Sequence, residues 1–107
     1  MRRKYFSLAV VLVLSVYSSF ASDAYETGYN LFSTNKPSEA IPYFVTAMND
    51  LSVSPSVYIY LGIAYYQTGQ YTESLEVFRR GLSASGTNKR IIAFNAGNSA
   101  YAMRDYA

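Results

Sequence analysis

A chain of 107 residues has room for one domain, and the absence of cysteine and histidine removes disulfide staples, a lipid-modified cysteine, the usual metal ligand and the usual general base. The formal charge of +2 belongs to the start of the chain: three of the nine basic residues are Arg2, Arg3 and Lys4, and none of the seven acidic residues lies before residue 22, so the remainder carries −1. Beyond the pairs Arg79/Arg80 and Lys89/Arg90 no basic cluster is left to follow a phosphate backbone, which argues against nucleic-acid binding.

Three early charges, an apolar run from Leu8 to Leu14 and small residues at Ser18, Ser19 and Ala21 form the layout of a secretory signal peptide over residues 1–21. Cleavage after Ala21 suits the small-x-small rule, and Ser22 to Ala24 offers a second fit. As an uncleaved anchor the stretch is short against a span of about 20 residues, and Ser15, Ser18 and Ser19 interrupt it. Arg2 and Arg3 lack the rest of a twin-arginine pattern, which favours the plain secretory route. The expectation is export, to the periplasm or cell envelope if the source is bacterial and to the outside otherwise. A membrane association arises only if the leader stays attached.

After the leader the chain reads as helices throughout. Ser22 and Asp23, with Glu26 three residues on, predict a capped start for a helix reaching about Thr34, and Asn35, Lys36 and Pro37 break it. Ser38 is the expected cap of a second helix to about Asp50, with Pro42 tolerated in its opening turn. Ser54 and Pro55 predict the cap and first residue of a third helix that stops before Gly69. A fourth is expected over about Thr72 to Ala84 and a fifth over about Lys89 to Met103, across a loop of Ser85, Gly86, Thr87 and Asn88.

The stretch from Tyr58 to Leu82 holds the clearest pattern. Tyr58, Leu61, Gly62 and Tyr65 share one helical face, as do Leu75, Phe78 and Leu82 on the next helix. Gly62 and the small Ser74 let two backbones approach, with Tyr65 and Phe78 expected above and below them. Thirty-four residues earlier stand Gly28, Ala40, Ile41, Phe44 and Met48, matching Gly62, Ser74, Leu75, Phe78 and Leu82; Gly97 and Tyr106 follow Gly62 and Tyr71 by 35. A period of about 34 with two helices per unit marks a repeat architecture. The chain resembles the tetratricopeptide repeat family, whose aromatic, Leu-Gly, Tyr, small and Phe positions are filled by Tyr58, Leu61, Gly62, Tyr65, Ser74 and Phe78. Tyr replaces the usual Trp, Ser the usual Ala, and the family's proline near the end of each unit is missing.

The resemblance implies an all-α fold of antiparallel helix-turn-helix repeats in a short right-handed solenoid. Repeat one covers about 22–54, repeat two about 55–88 and a partial repeat three about 89–107. In such a solenoid the first helices line a concave face that contacts bound peptides. The residues here are Tyr25, Tyr29 and Phe32, then Ile59, Ile63 and Tyr66, then Phe94, Asn98 and Tyr101, each set spaced i, i+4, i+7. Aromatic side chains of this kind suit partner recognition, and they suit packing between hairpins equally well. Family members that clamp a peptide carboxylate use Lys, Asn and Arg on this stripe. Only Asn98 is of that type, so an apolar or helical segment is the expected ligand.

No paired acid and base can be proposed from spacing. Ser33 and Lys36 form an S-x-x-K string without its companion motifs, and the glycines are spaced for helix crossings rather than for a phosphate loop. No enzyme, cofactor or metal is expected.

Ile91, Ile92, Phe94, Ala96, Ala100 and Met103 are expected to lie uncovered where the third repeat lacks its second helix. The chain then reads either as the front piece of a longer product, which the cut at a loop-to-helix boundary favours, or as a unit completed by a partner helix or a second copy. The functional expectation is a non-catalytic adaptor. The alternatives are a membrane-anchored envelope assembly factor and a fragment without its own function.

Overall fold

Two helix ends, 34 residues apart, are closed by the same hydrogen bonds. At the first, Thr34 Oγ1 donates to the carbonyls of Asn30 (2.9 Å) and Leu31 (3.1 Å), and the Lys36 amide returns to Leu31 O (2.9 Å). At the second, Thr68 Oγ1 donates to Ala64 O (3.0 Å) and Tyr65 O (3.1 Å), and the Gln70 amide returns to Tyr65 O (2.8 Å). The reversal needs one residue in the left-handed region. Asn35 fills that place at φ 63° and Gly69 at φ 78°. Asn is among the few non-glycine residues that enter this region readily, so the two turns match although their residues differ.

The computed structural model describes residues 20–50 and 53–106, which form helices and turns and no strand. The helices are α1 (20–33), α2 (Pro37–Met48), α3 (Val57–Gln67), α4 (Tyr71–Ser83) and α5 (Lys89–Tyr106). The signal-peptide reading rests on residues 1–19, outside the described residues, and on the last positions before its cleavage site. No described helix is long and apolar enough to cross a membrane.

Several boundaries depart from the sequence reading. Residue 20 is already helical, so Ser22 and Asp23 point to solvent from within α1 instead of capping it. The reason is the buried pair Ala21 and Ala24, which carries the interior face of α1 upstream of Ser22. Helix α2 starts at Pro37, not Ser38, with Lys36 before it and no side-chain cap. A proline loses nothing in a first turn, where its amide would lack an intrahelical partner. Helix α3 begins two residues beyond Pro55. Ser54 Oγ accepts from the Ser56 amide at 3.3 Å, and the Val57 and Tyr58 amides reach back three residues, forming a tight lead-in turn. Asn88 caps α5 by accepting the Ile91 amide at 3.2 Å, and α5 then runs 18 residues, to Tyr106 rather than Met103.

Helix α3 packs on α2 and α4, and α5 packs on α4 with a smaller contact to α3. Ala40, Phe44, Ala47, Leu61, Ala64, Phe78 and Ile92 have no exposed surface. The glycines that set the period sit under aromatic rings: a Cβ on Gly28 would come within 2.9 Å of the Phe44 ring, and one on Gly62 would overlap the Phe78 ring. Phe78 therefore occupies the notch made by Gly62 itself, not the space above or below it. A ring laid on a bare backbone buries more apolar surface than one placed beside it. Gly81 plays a similar part between α3 and α5, where a Cβ would stand 2.9 Å from both Ile92 Cδ1 and Tyr58 Cβ. Ile92, expected to be uncovered, is instead buried because it faces α4. Ala96 and Met103 are half-buried, while Ile91, Phe94 and Ala100 are exposed.

Candidate functional site

The i, i+4, i+7 stripe runs over α1, α3 and α5, and the structure places its nine residues in two kinds of surroundings. Tyr25 and Phe32 on α1 are half-buried, each with its ring 6.2 Å from that of Phe44, so they close the first hairpin. Tyr29, between them, is exposed and makes an edge contact with Tyr60 at 5.3 Å. Ile59 and Ile63 on α3 are half-buried, whereas Tyr66 is exposed and touches the Tyr71 ring edge-on at 5.3 Å. On α5 the stripe opens: Phe94 is 71% exposed, Tyr101 64%, and Asn98 lies exposed between them. Arg104 extends its guanidinium over the Tyr101 ring at 5.7 Å, a cation–π contact that steadies the ring without covering it.

Tyr60, a residue the repeat pattern does not single out, joins α3 to the first hairpin. Its ring lies 5.3 Å from Tyr29, 5.4 Å from Phe32 and 6.2 Å from Phe44, the last pair stacked. Burial, then the nearby phenols of Tyr25 and Tyr29, push the Tyr60 hydroxyl above the usual tyrosine range. Tyr65 is raised as well, by burial and then by the Glu73 carboxylate. Both phenols are therefore neutral at physiological pH. The residues in register with Tyr60 are Glu26 and Asn95, so periodicity gives no signal for it.

The residues assigned to packing fall into a buried set and an open one. Ala40, Phe44, Leu61, Ser74 and Phe78 are fully buried, Gly28 and Gly62 are closed over by rings, and Tyr58 and Tyr65 are half-buried at the edges. Gly97 is exposed, and a Cβ built on it would meet nothing within 4 Å. Ser74 does more than keep two helices close. Its Oγ donates to Gly62 O at 2.6 Å and lies 2.8 Å from Ser99 Oγ on α5, itself buried and 3.2 Å from Asn95 O. This hydroxyl pair ties α3, α4 and α5 together at one point. Ser74→Ala should cost about 1 kcal/mol by leaving Ser99 short of a buried partner. Adding Ser99→Ala should recover part of that loss, since the buried Ala40 and Ala64 fill the places equivalent to Ser74 and Ser99 one repeat earlier. Urea unfolding of the two single variants and the double variant measures the coupling, and strict additivity would show that the pair is not a bond.

Among the described residues no group of three His, Cys, Asp or Glu side chains could hold a metal ion. Ser33 and Lys36 are both exposed at the end of α1 and just beyond it. Two surface concavities lie off the stripe. One is lined by Tyr58, Glu76, Arg79 and Arg80 on α3 and α4, and another by Phe20, Ala24, Pro42 and Tyr43 on α1 and α2. Neither brings together an acid, a base and a nucleophile in a protected site. What the exposed stripe offers is contact area: flat, rigid rings with few torsions to freeze on binding.

Residues 55–88 match the family model described as tetratricopeptide repeat. Neither the curated proteins nor the solved structures contain a match to the chain.

Proposed function

We propose that this chain, whose residues 55–88 match the tetratricopeptide repeat and whose helices fit a protein of that family with few repeats, is a non-catalytic exported adaptor binding an apolar or helical peptide segment, as a family that generally serves as a scaffold for protein partners suggests. The observation that carries the reading is the exposure of Phe94 and Tyr101, seven residues apart on one face of α5. Two large rings left in water on a single helical face cost free energy unless something covers them part of the time. Tyr66 extends the surface onto α3, and Asn98 supplies a hydrogen-bonding group in its middle. With no basic cluster along the stripe, a carboxylate is a poor ligand and an apolar face a good one. Export is supported by Arg2, Arg3 and Lys4 ahead of the apolar run to Leu14.

A peptide-display selection against the full chain, followed by variants, tests the binding surface. Selected segments should be amphipathic helices or apolar strings. Phe94→Ser and Tyr101→Ser should each weaken them by about 2 kcal/mol, roughly thirtyfold, as expected for central aromatic contacts. Tyr43→Ser is the control, since Tyr43 is 42% exposed on α2 and lies off the stripe. Binders that ignore the α5 variants but respond to Tyr43→Ser would move the site elsewhere.

A further inference from the structure

Charge is divided along the chain. Residues 20–76 hold six acidic residues and one lysine, while residues 77–104 hold five basic residues and no acidic one. Two of the five are Arg79 and Arg80, toward the end of α4, and two are Lys89 and Arg90, in the first turn of α5; all four are exposed. The loop between them is folded tightly. Thr87 Oγ1 donates to Gly81 O at 2.8 Å and to Ala84 O at 3.2 Å, and Gly81 lies against Ile92. Both pairs therefore stand at one end of the α4–α5 hairpin. Among the described residues none of the four makes an ion pair with a carboxylate.

Neither repeat packing nor helix stability asks for these cations. In register with Arg79 and Arg80, α2 carries Val45 and Thr46, and in register with Lys89 and Arg90 the lead-in to α3 carries Ser54 and Pro55. In the first turn of α5 two positive charges meet the positive end of the helix dipole, whereas α2 and α4 place Glu39 and Glu73 there. The cluster also lies where the repeat leaves its surface open. Pro42, Thr46 and Asn49 on α2 are exposed although a complete repeat follows them, and so is Ser54. Glu76, Arg80, Ser83 and Lys89 hold the corresponding places, so packing of the kind seen in this chain leaves them in water whatever follows α5.

We propose that this basic end of the α4–α5 hairpin docks an acidic segment of a partner protein. Charge complementarity is the argument, and the surroundings narrow the partner's class. Arg79 and Arg80 border a shallow concavity with Tyr58, Glu76, Ser83 and Ala84. Tyr58, half-buried, gives it a flat wall for one apolar side chain, and Glu76 repels a ligand that is anionic at every position, as a nucleic-acid backbone is. The exposed face of α4, with Thr72, Glu73, Glu76, Arg79, Arg80 and Ser83, has no apolar side chain to enter a bilayer. A peptide in which carboxylates flank an apolar residue meets all these conditions. The reading does not rest on the aromatic stripe, to which α4 contributes no residue.

The probe is a fluorescein-labelled peptide of six glutamates around one central leucine, titrated with the full chain at low salt and followed by polarisation, with light scattering in parallel. Saturable binding is expected, and it should weaken severalfold with added salt, because the screening length falls from about 10 Å at 0.1 M to about 3 Å at 1 M. Chains carrying Arg79→Glu with Arg80→Glu, or Lys89→Glu with Arg90→Glu, should each bind at least about tenfold more weakly. The second of these should also melt above the parent, since it puts carboxylates at the positive end of α5. A chain with Lys36→Glu and Arg104→Glu has the same net charge as either variant and should bind as the parent does. The proposal is overturned by an absence of saturable binding, by binding that survives both reversals, or by an equal loss in the Lys36 and Arg104 variant. It is overturned as well by a preference for phosphatidylglycerol vesicles or a single-stranded oligonucleotide over the peptide, or by a salt-sensitive dimer in which the acidic half of a second copy covers this end.

Discussion

Replacing Phe78 with alanine is expected to remove about 3–5 kcal/mol of stability, the largest single loss available in the repeat that matches the family. The ring has no exposed surface and lies on the bare backbone of Gly62. Removing it leaves a hole whose floor is a glycine, with no side chain that could swing in to fill it, so the cavity persists and its cost adds to the lost transfer energy. A domain of this size is held by about 5–15 kcal/mol in total, so the variant should sit near its unfolding threshold. Far-UV circular dichroism in urea should show a large drop in midpoint, and heating should show a fall of at least about 12 °C, given about 4 °C per kcal/mol at the low end for small domains. Leu75→Ala, one turn earlier and only half-buried, should cost clearly less. Equal losses at the two positions would mean that the ring is not locked in its notch.

The second large effect is a reversal of sign between two glycines in the same register. Gly62→Ala puts a methyl group where the Phe78 ring already lies, and overpacking of this kind costs about 1–3 kcal/mol. Gly97→Ala puts the same methyl group into open space in the middle of α5. There the only change is the helix preference of alanine over glycine, a gain of about 0.5–1 kcal/mol. One variant should melt below the parent and the other above it. Gly28→Ala belongs with Gly62→Ala, since its Cβ would approach the Phe44 ring to 2.9 Å. If Gly97→Ala instead destabilises, the α5 face is covered in solution, by a second copy or by another part of the chain.

Helix order and the positions of the breaks were legible because each rests on local chemistry. Gly69 stops α3, and the Asn35-Lys36-Pro37 string stops α1 through the same left-handed turn. The match of Gly28, Ala40 and Phe44 to Gly62, Ser74 and Phe78 was also visible, and the structure gives it content as two rings seated on two glycines. Helix starts were harder to read. Ser22, Ser38 and Ser54 each look like caps, yet Ser22 lies within α1, α2 is set by the fixed backbone of Pro37, and α3 by a turn around Pro55. Hydroxyl side chains signal that a helix could begin nearby, and packing then decides on which residue it does.

The stripe shows the same division. Spacing identifies Tyr25, Tyr29 and Phe32 as one helical face, but spacing cannot say which of the three meets Phe44 and which meets water. Tyr60 and the Ser74–Ser99 pair lay outside the pattern altogether, since each depends on residues from different hairpins arriving at one place.

What the sequence by itself determined is the helical repeat, its period of about 34, the residues that punctuate it and the absence of histidine and cysteine, because these follow from periodicity, turn residues and composition. What only the tertiary structure decided is which aromatic rings are buried and which exposed, that Ile92 turns inward toward α4, and that the notch at Gly97 stands open. Those outcomes depend on where neighbouring helices lie, and a single helix's pattern shows which residues share a face without showing what that face will meet.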